Sequence, residues 1–148
     1  MAVLLDTNIL LRLLQPQHPH AAIAEHALEI LGRRNEALSV TVQNLVEFWT
    51  VVTRPINENG LGFSPSEAME EIRAIKQLFI LLPEVPLHEE WERLVVTYSV
   101  SGKNTHDARL VAAMIVHEVN AILTFNMQDF TRYPISVLNP VDIARLGH

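Results

Sequence analysis

Ala2-Val3-Leu4-Leu5-Asp6-Thr7-Asn8 opens the chain. Its four apolar residues, stopped by an acid, read as a strand buried on both faces, because no position is left over for a solvated side. Such a strand needs helices above and below it, as in parallel sheets. Downstream, strand patterns at 37–40, 79–82, 121–125 and 135–138 alternate with helical patterns at 8–14, 20–34, 43–54, 64–77, 88–100 and 105–119, with a single turn at 127–130. The helix over 43–54 carries Leu45, Phe48, Trp49 and Val52 at i, i+3, i+4, i+7. Ser64 and Glu67 form a capping box around Pro65, and the helix over 105–119 is apolar nearly all round, so it is expected to be buried. Residues 55–63, with Asn59-Gly60 and Gly62, read as a loop. This alternation predicts an α/β fold, one domain over residues 1–148 with a central parallel sheet and helices on both faces. In such sheets ligands sit outside the carboxyl ends of the strands.

Length and composition bound the rest. A chain of 148 residues buries about two-thirds of its unfolded surface. With 49% apolar and 19% charged residues, it reads as a packed soluble protein rather than a disordered one. There is no cysteine, which excludes disulfides and thiolate metal sites and suits a reducing compartment. Residues 1–6 lack the basic flank and length of a secretion signal. No apolar run approaches the ~18 residues of a membrane span. The expectation is a cytoplasmic protein with no membrane contact. The net charge of −6 argues against general nucleic-acid binding through a basic surface. Carboxylates that hold divalent cations offset part of that charge, and a basic rim can exist on an acidic protein. The acidity equally suits a basic protein partner.

Four acids carry the chemistry. Asp6 ends the first strand, Asp129 follows the fourth strand after Asn126, and Asp107 lies in the first turn of the buried helix that leads into that strand. Topology alone brings these three to the functional edge. Glu47 lies inside the third helix, on a polar stripe with Gln43, Thr50 and Arg54 that has the look of a solvated face. Each acid also has a structural reading: Asp6 as a helix cap, and Asn104-x-x-Asp107 and Asn126-x-x-Asp129 as first-turn capping patterns. Taken together, several carboxylates at one sheet edge repel one another unless a cation sits among them. Mg²⁺ and Mn²⁺ take oxygen ligands and keep several waters. An ion so held polarises a phosphodiester and lowers the pKa of a bound water, and two such ions stabilise both attacking and leaving oxygens.

Asp6-Thr7-Asn8 after an apolar strand, Val46-Glu47-Phe48 with Thr53-Arg54-Pro55, His106-Asp107-Ala108-Arg109-Leu110-Val111-Ala112 and Leu123-Thr124-Phe125-Asn126-Met127-Gln128-Asp129-Phe130 together resemble the signature of PIN domains. They are most similar to the VapC-type toxins of toxin–antitoxin pairs. Asn59-Gly60-Leu61-Gly62-Phe63-Ser64-Pro65 resembles a subgroup with a longer mid-chain helical hairpin. The resemblance runs from about residue 2 to 142. It implies a three-layer α/β/α domain and hydrolysis of single-stranded or loop RNA with Mg²⁺ or Mn²⁺. It implies that Asp6, Glu47, Asp107 and Asp129 are catalytic and hold metal directly or through water. Asn8 and Asn126, with Thr7 and Thr124, would position those carboxylates by hydrogen bonds. A homodimer and a cognate antitoxin are the implied partners, the antitoxin placing a basic side chain in the acidic pocket. The alternative is a PIN scaffold of negligible activity serving as a protein-binding module. An aspartyl-phosphate enzyme is disfavoured, since Asn8 stands where a second acid is needed.

Arg12, Arg54, Lys103 and Arg132 are candidate RNA-phosphate contacts, with pairing to the surplus acids as the competing reading for the arginines. Arg109, inside an apolar helix, is expected to form a fixed structural pair. His18 and His20 lack further metal ligands. His106, beside Asp107, is either a proton shuttle or a structural hydrogen-bonding group. Trp49 and Trp91 lie on helical stripes and are expected in the core.

Overall fold

The computed structural model describes residues 1–147; the last residue of the expected domain, 148, lies outside it. Strands β1 (Ala2–Leu5), β2 (Ala37–Val40), β3 (Ile80–Leu81), β4 (Ala121–Leu123) and β5 (Ser136–Leu138) form one sheet of order β3-β2-β1-β4-β5. Every pairing is parallel, with Val3 opposite Leu38 on one side and Ala121 on the other. Side-chain alternation along each strand sorts the core into two halves. Val3, Leu5, Ala121 and Leu123 point into one cluster and Leu4 and Ile122 into the other, all with zero exposure.

The first cluster is covered by α1 (Thr7–Leu13), α2 (Ala21–Arg33), α3 (Val42–Thr53), α4 (Pro65–Leu78) and α7 (Pro140–Arg145). The second is covered by α5 (His88–Thr97) and α6 (Asn104–Val116). The result is the expected three-layer α/β/α arrangement around a parallel sheet. α6 buries Ala108 and the whole run Leu110–Met114, as its all-round apolar pattern requires. Trp49 and Trp91 pack against opposite clusters, and the Trp91 indole N–H donates to the Thr105 carbonyl at 3.0 Å, tying α5 to the start of α6. Among the described residues no helix is long and apolar enough to cross a membrane.

Three helix ends differ from the sequence expectation for one physical reason. Asn35, Ser99 and Glu118 adopt positive φ (57°, 52° and 57°) just past α2, α5 and α6. The next amide then turns back on the helix: Glu36 to Leu31, Val100 to Val95 and Val119 to Met114, at 3.1, 2.9 and 2.8 Å. These are left-handed C-terminal closures whose following residue folds onto the helix. Apolar Val100 and Val119 thus extend the helical pattern without continuing the helix. β3 is shorter than 79–82. The loop over 55–63 holds one 3₁₀ turn, Ile56–Glu58, and α7, capped by the Asn139 side chain on the Val141 amide at 2.9 Å, lies beyond the last expected element.

Candidate active site

Strand order reverses at β1, with β2 and β3 added on one side and β4 and β5 on the other. Ligand crevices in open parallel sheets form at such a switch, outside the carboxyl ends of the two strands. Asp6 follows β1 and Thr124 follows β4, side by side: the Asp6 amide donates to the Leu123 carbonyl at 3.0 Å, and the Thr124 hydroxyl donates to Asp6 Oδ2 at 2.8 Å.

Asp6 is the best-held of the acids. Only 9% exposed, it caps α1, and Oδ1 accepts from the Thr7 amide at 2.8 Å. Oδ2 accepts from Thr124 and from Asn8 Nδ2 at 3.3 Å. Asn8 also donates to the Thr124 hydroxyl and accepts from the Phe125 amide (3.3 and 3.4 Å), while the Asn126 amide donates to Thr124 Oγ1 at 2.9 Å. Cap and site reading therefore describe the same side chain. Burial raises the Asp6 pKa above the usual carboxylate value against the pull of the Thr124 and Thr7 hydrogen bonds, and the charge of Asp129 adds to the rise.

Glu47 does not point into open solvent. It is half-buried, and Oε1 accepts from the Thr7 hydroxyl at 3.2 Å. That hydroxyl in turn accepts from Asn44 Nδ2 at 3.1 Å. Burial raises the Glu47 pKa, the Thr7 bond lowers it and Asp6 raises it. Of the stripe expected to be solvated, Thr50 is exposed, whereas Gln43 binds the His106 carbonyl at 2.8 Å and, through Oε1, Arg109 at 3.0 Å.

Asn44 was missed from the sequence, although its fully buried amide joins two functions. Its Oδ1 accepts from the Thr41 amide and hydroxyl at 2.8 and 2.9 Å, closing the capping box of α3, and its NH₂ holds Thr7. The available signal was Thr41 three residues ahead of Asn44, the capping-box spacing, with Glu47 three residues further along the same helix face.

Asp107 lies in the first turn of α6. Burial, followed by the charges of Asp129, Asp6 and Glu47, pushes its pKa up to about 7, with Lys103 pulling the other way. The four predicted acids are therefore one electrostatic group. Among the described residues, no three of their carboxylates converge closely enough to ligate one ion directly. The donor set nevertheless fits Mg²⁺ or Mn²⁺: it is all carboxylate oxygen, neighbouring acids add to the raised pKa values of Asp6, Glu47 and Asp107, and these ions take one or two carboxylates while keeping several waters.

The other predicted residues separate. The Asn126 side chain is exposed, and among the described residues it makes no hydrogen bond to the carboxylates; only its backbone reaches Thr124. Lys103 and Asp129 line one groove. Arg12 binds Gln15 at 2.7 Å, and Arg54 stands seven residues beyond Glu47, about 10 Å along α3. Arg132 is exposed. Among the described residues, none of Arg12, Arg54 or Arg132 pairs with an acid. Arg109 has the expected structural partner in Gln43, with Glu84 at 4.0 Å. His18 Nδ1 accepts from the His20 amide at 3.0 Å, and the His20 ring stacks on Phe125 at 4.3 Å. The His106 side chain is exposed.

Residues 3–135 match the family model of the PIN domain. The chain belongs to the PIN-domain family. Solved structures similar to this PIN domain include VapBC2 from Rickettsia felis bound to a promoter DNA fragment, at TM-score 0.70 and 15% identity over 94% of this chain and 98% of that one. A toxin–antitoxin complex from Klebsiella pneumoniae gives TM-score 0.64 at 21% identity over 93% and 97%, and FitAcB from Neisseria gonorrhoeae gives 0.63 at 19% over 93% and 97%. At these identities the likeness is one of fold. No curated protein matches the chain.

Proposed function

We propose that this PIN domain is a Mg²⁺- or Mn²⁺-dependent endoribonuclease acting in the cytoplasm as the toxin of a toxin–antitoxin pair. The observation that carries the reading is the gathering of Asp6, Glu47, Asp107 and Asp129 at the β1/β4 switch, where burial and then the charges of Asp129, Asp6 and Glu47 raise the Asp107 pKa to about 7. Asp6 and Glu47 would hold the ion from fixed orientations, because Thr7, Asn8 and Thr124 donate to their oxygens and Asn44 holds the Thr7 hydroxyl. Asp107 and Asp129, on α6 and on the 3₁₀ turn Met127–Asp129, would engage it through its bound waters. Bound there, the ion supplies Lewis-acid charge stabilisation at a phosphodiester and activation of water at neutral pH.

The toxin assignment is supported by the likeness to toxin–antitoxin structures along nearly the whole chain. The antitoxin would present a basic side chain to the four acids, and a second copy of the chain would complete a homodimer. Purified protein with Mn²⁺ should cleave RNA, and Asp6→Asn or Asp107→Asn should abolish cleavage while preserving the fold. Cleavage unchanged in either variant would overturn the assignment.

A further inference from the structure

A groove of about 490 Å³ opens beside Asp129, between the start of α6, the 3₁₀ turn after β4 and the cap of α7. Its size lies within the roughly 300–1,000 Å³ of small-molecule sites. Its lining is mostly polar, with Lys103, Asn126, Gln128, Asp129 and Asn139 beside the apolar Phe125 and Met127. Asn126 and Gln128 are exposed, and among the described residues neither side chain makes a hydrogen bond. Each presents both a donor and an acceptor. Asn139 spends its oxygen on the Val141 amide, which fixes the side chain and leaves its NH₂ to donate. Phe125 is held by the parallel ring of His20, 6° out of plane, and by its own amide on Asn8.

We propose that this groove seats the nucleobase adjoining the scissile phosphate of a single-stranded RNA, with Asn126 and Gln128 reading the base edge, Phe125 as its apolar wall and Lys103 on the neighbouring phosphate. The inference rests on the ribonuclease reading above and adds to it the subsite that sets cleavage preference. Side-chain amides pair with two atoms of a base edge at once, and unstacked RNA bases are recognised through their hydrogen-bonding edges and an aromatic or apolar wall. The groove shares Asp129 with the acidic group, so a strand whose phosphate lies at the acids has its next base within reach of the amides. Asn126 thereby takes a role different from the carboxylate-positioning one expected of it.

Two measurements test this. In the first, wild type and the variants Asn126→Ala and Gln128→Ala, each confirmed folded by circular dichroism, are given a randomised RNA oligonucleotide with Mn²⁺, and the cut ends are sequenced. The groove predicts a base preference next to the cut that weakens fivefold or more in at least one variant, with KM rising more than kcat falls. Retention of the wild-type preference and KM in both variants, with cleavage intact, overturns the groove and leaves the ribonuclease reading standing. In the second, the 5′-monophosphates of adenosine, guanosine, cytidine and uridine are titrated into metal-free wild type and followed by amide NMR. Shifts at Asn126, Gln128 and Lys103 with at least one nucleotide, weakened fivefold or more in Gln128→Ala, support the groove even if the protein cuts no RNA. No shift at these residues with any of the four overturns it.

Discussion

Replacing Asp107 with Asn should stabilise the metal-free protein in alkaline solution and leave it unchanged in acid. Burial and three neighbouring carboxylates raise the Asp107 pKa from 3.8 to about 7. The folded state therefore binds this proton more tightly than the unfolded chain. That contribution is whole below about pH 4, and it is lost as the pH climbs through about 7. Taken at face value, three pKa units are worth ~4 kcal/mol. Asp107 is only half-buried, and solvent screening at such a site cuts the figure to ~1–2 kcal/mol. The Asp107→Asn chain lacks this dependence. With EDTA present, wild type and variant should unfold nearly together at pH 4, whereas at pH 8 the variant should melt roughly 2–8 °C higher, given about 2–4 °C per kcal/mol in a domain of this size. Addition of Mg²⁺ at pH 8 should raise the wild type more than the variant, since an ion that binds only the folded state stabilises it. Thermal scans from pH 4 to 8 provide the assay. Superimposable curves for the two proteins across that range would show that neither burial nor the other three acids raises the Asp107 pKa.

The hydrogen bonds around the acids give further outcomes. Thr124→Val removes a donor to Asp6 Oδ2 and the acceptor of the Asn126 amide; Mn²⁺ affinity or RNA cleavage should fall about 10–100-fold with little loss of fold, checked by calorimetry and a cleavage assay. Asn44→Ala opens the α3 cap and leaves Thr7 and Thr41 short of partners inside the protein. It should cost about 2–3 kcal/mol in urea unfolding. Ile122→Ala, at the centre of the second core cluster, should cost about 2–5 kcal/mol in the same measurement.

Much of this was legible in the residues. The run Ala2-Val3-Leu4-Leu5 announces a strand covered on both sides, and the alternation after it leaves few topologies besides a parallel sheet. Strand order then explains why Asp6 and Asp129 share an edge. Periodicity misjudged Glu47, because a helix stripe shows which residues are polar but not whether they face water or another polar group. Only the tertiary contact with Thr7 separates the two. Asn44 was hidden for the same reason: a buried amide whose every bond is local or internal looks in sequence like any helix-start polar residue. Helix ends were overrun at Val100 and Val119 because the closing residues Ser99 and Glu118 are not glycine, so the left-handed turn carries no sequence mark.

Mn²⁺ calorimetry of the metal-free protein at pH 7, run in two buffers of different ionisation enthalpy, reads metal binding and proton release together. With Asp107 at a pKa of about 7, binding should expel roughly half a proton per protein, and Asp107→Asn should bind more weakly and expel almost none. Heat of binding that is absent, or identical in the two buffers for the wild type, would mean that the carboxylates at this sheet edge do not act as one cation site.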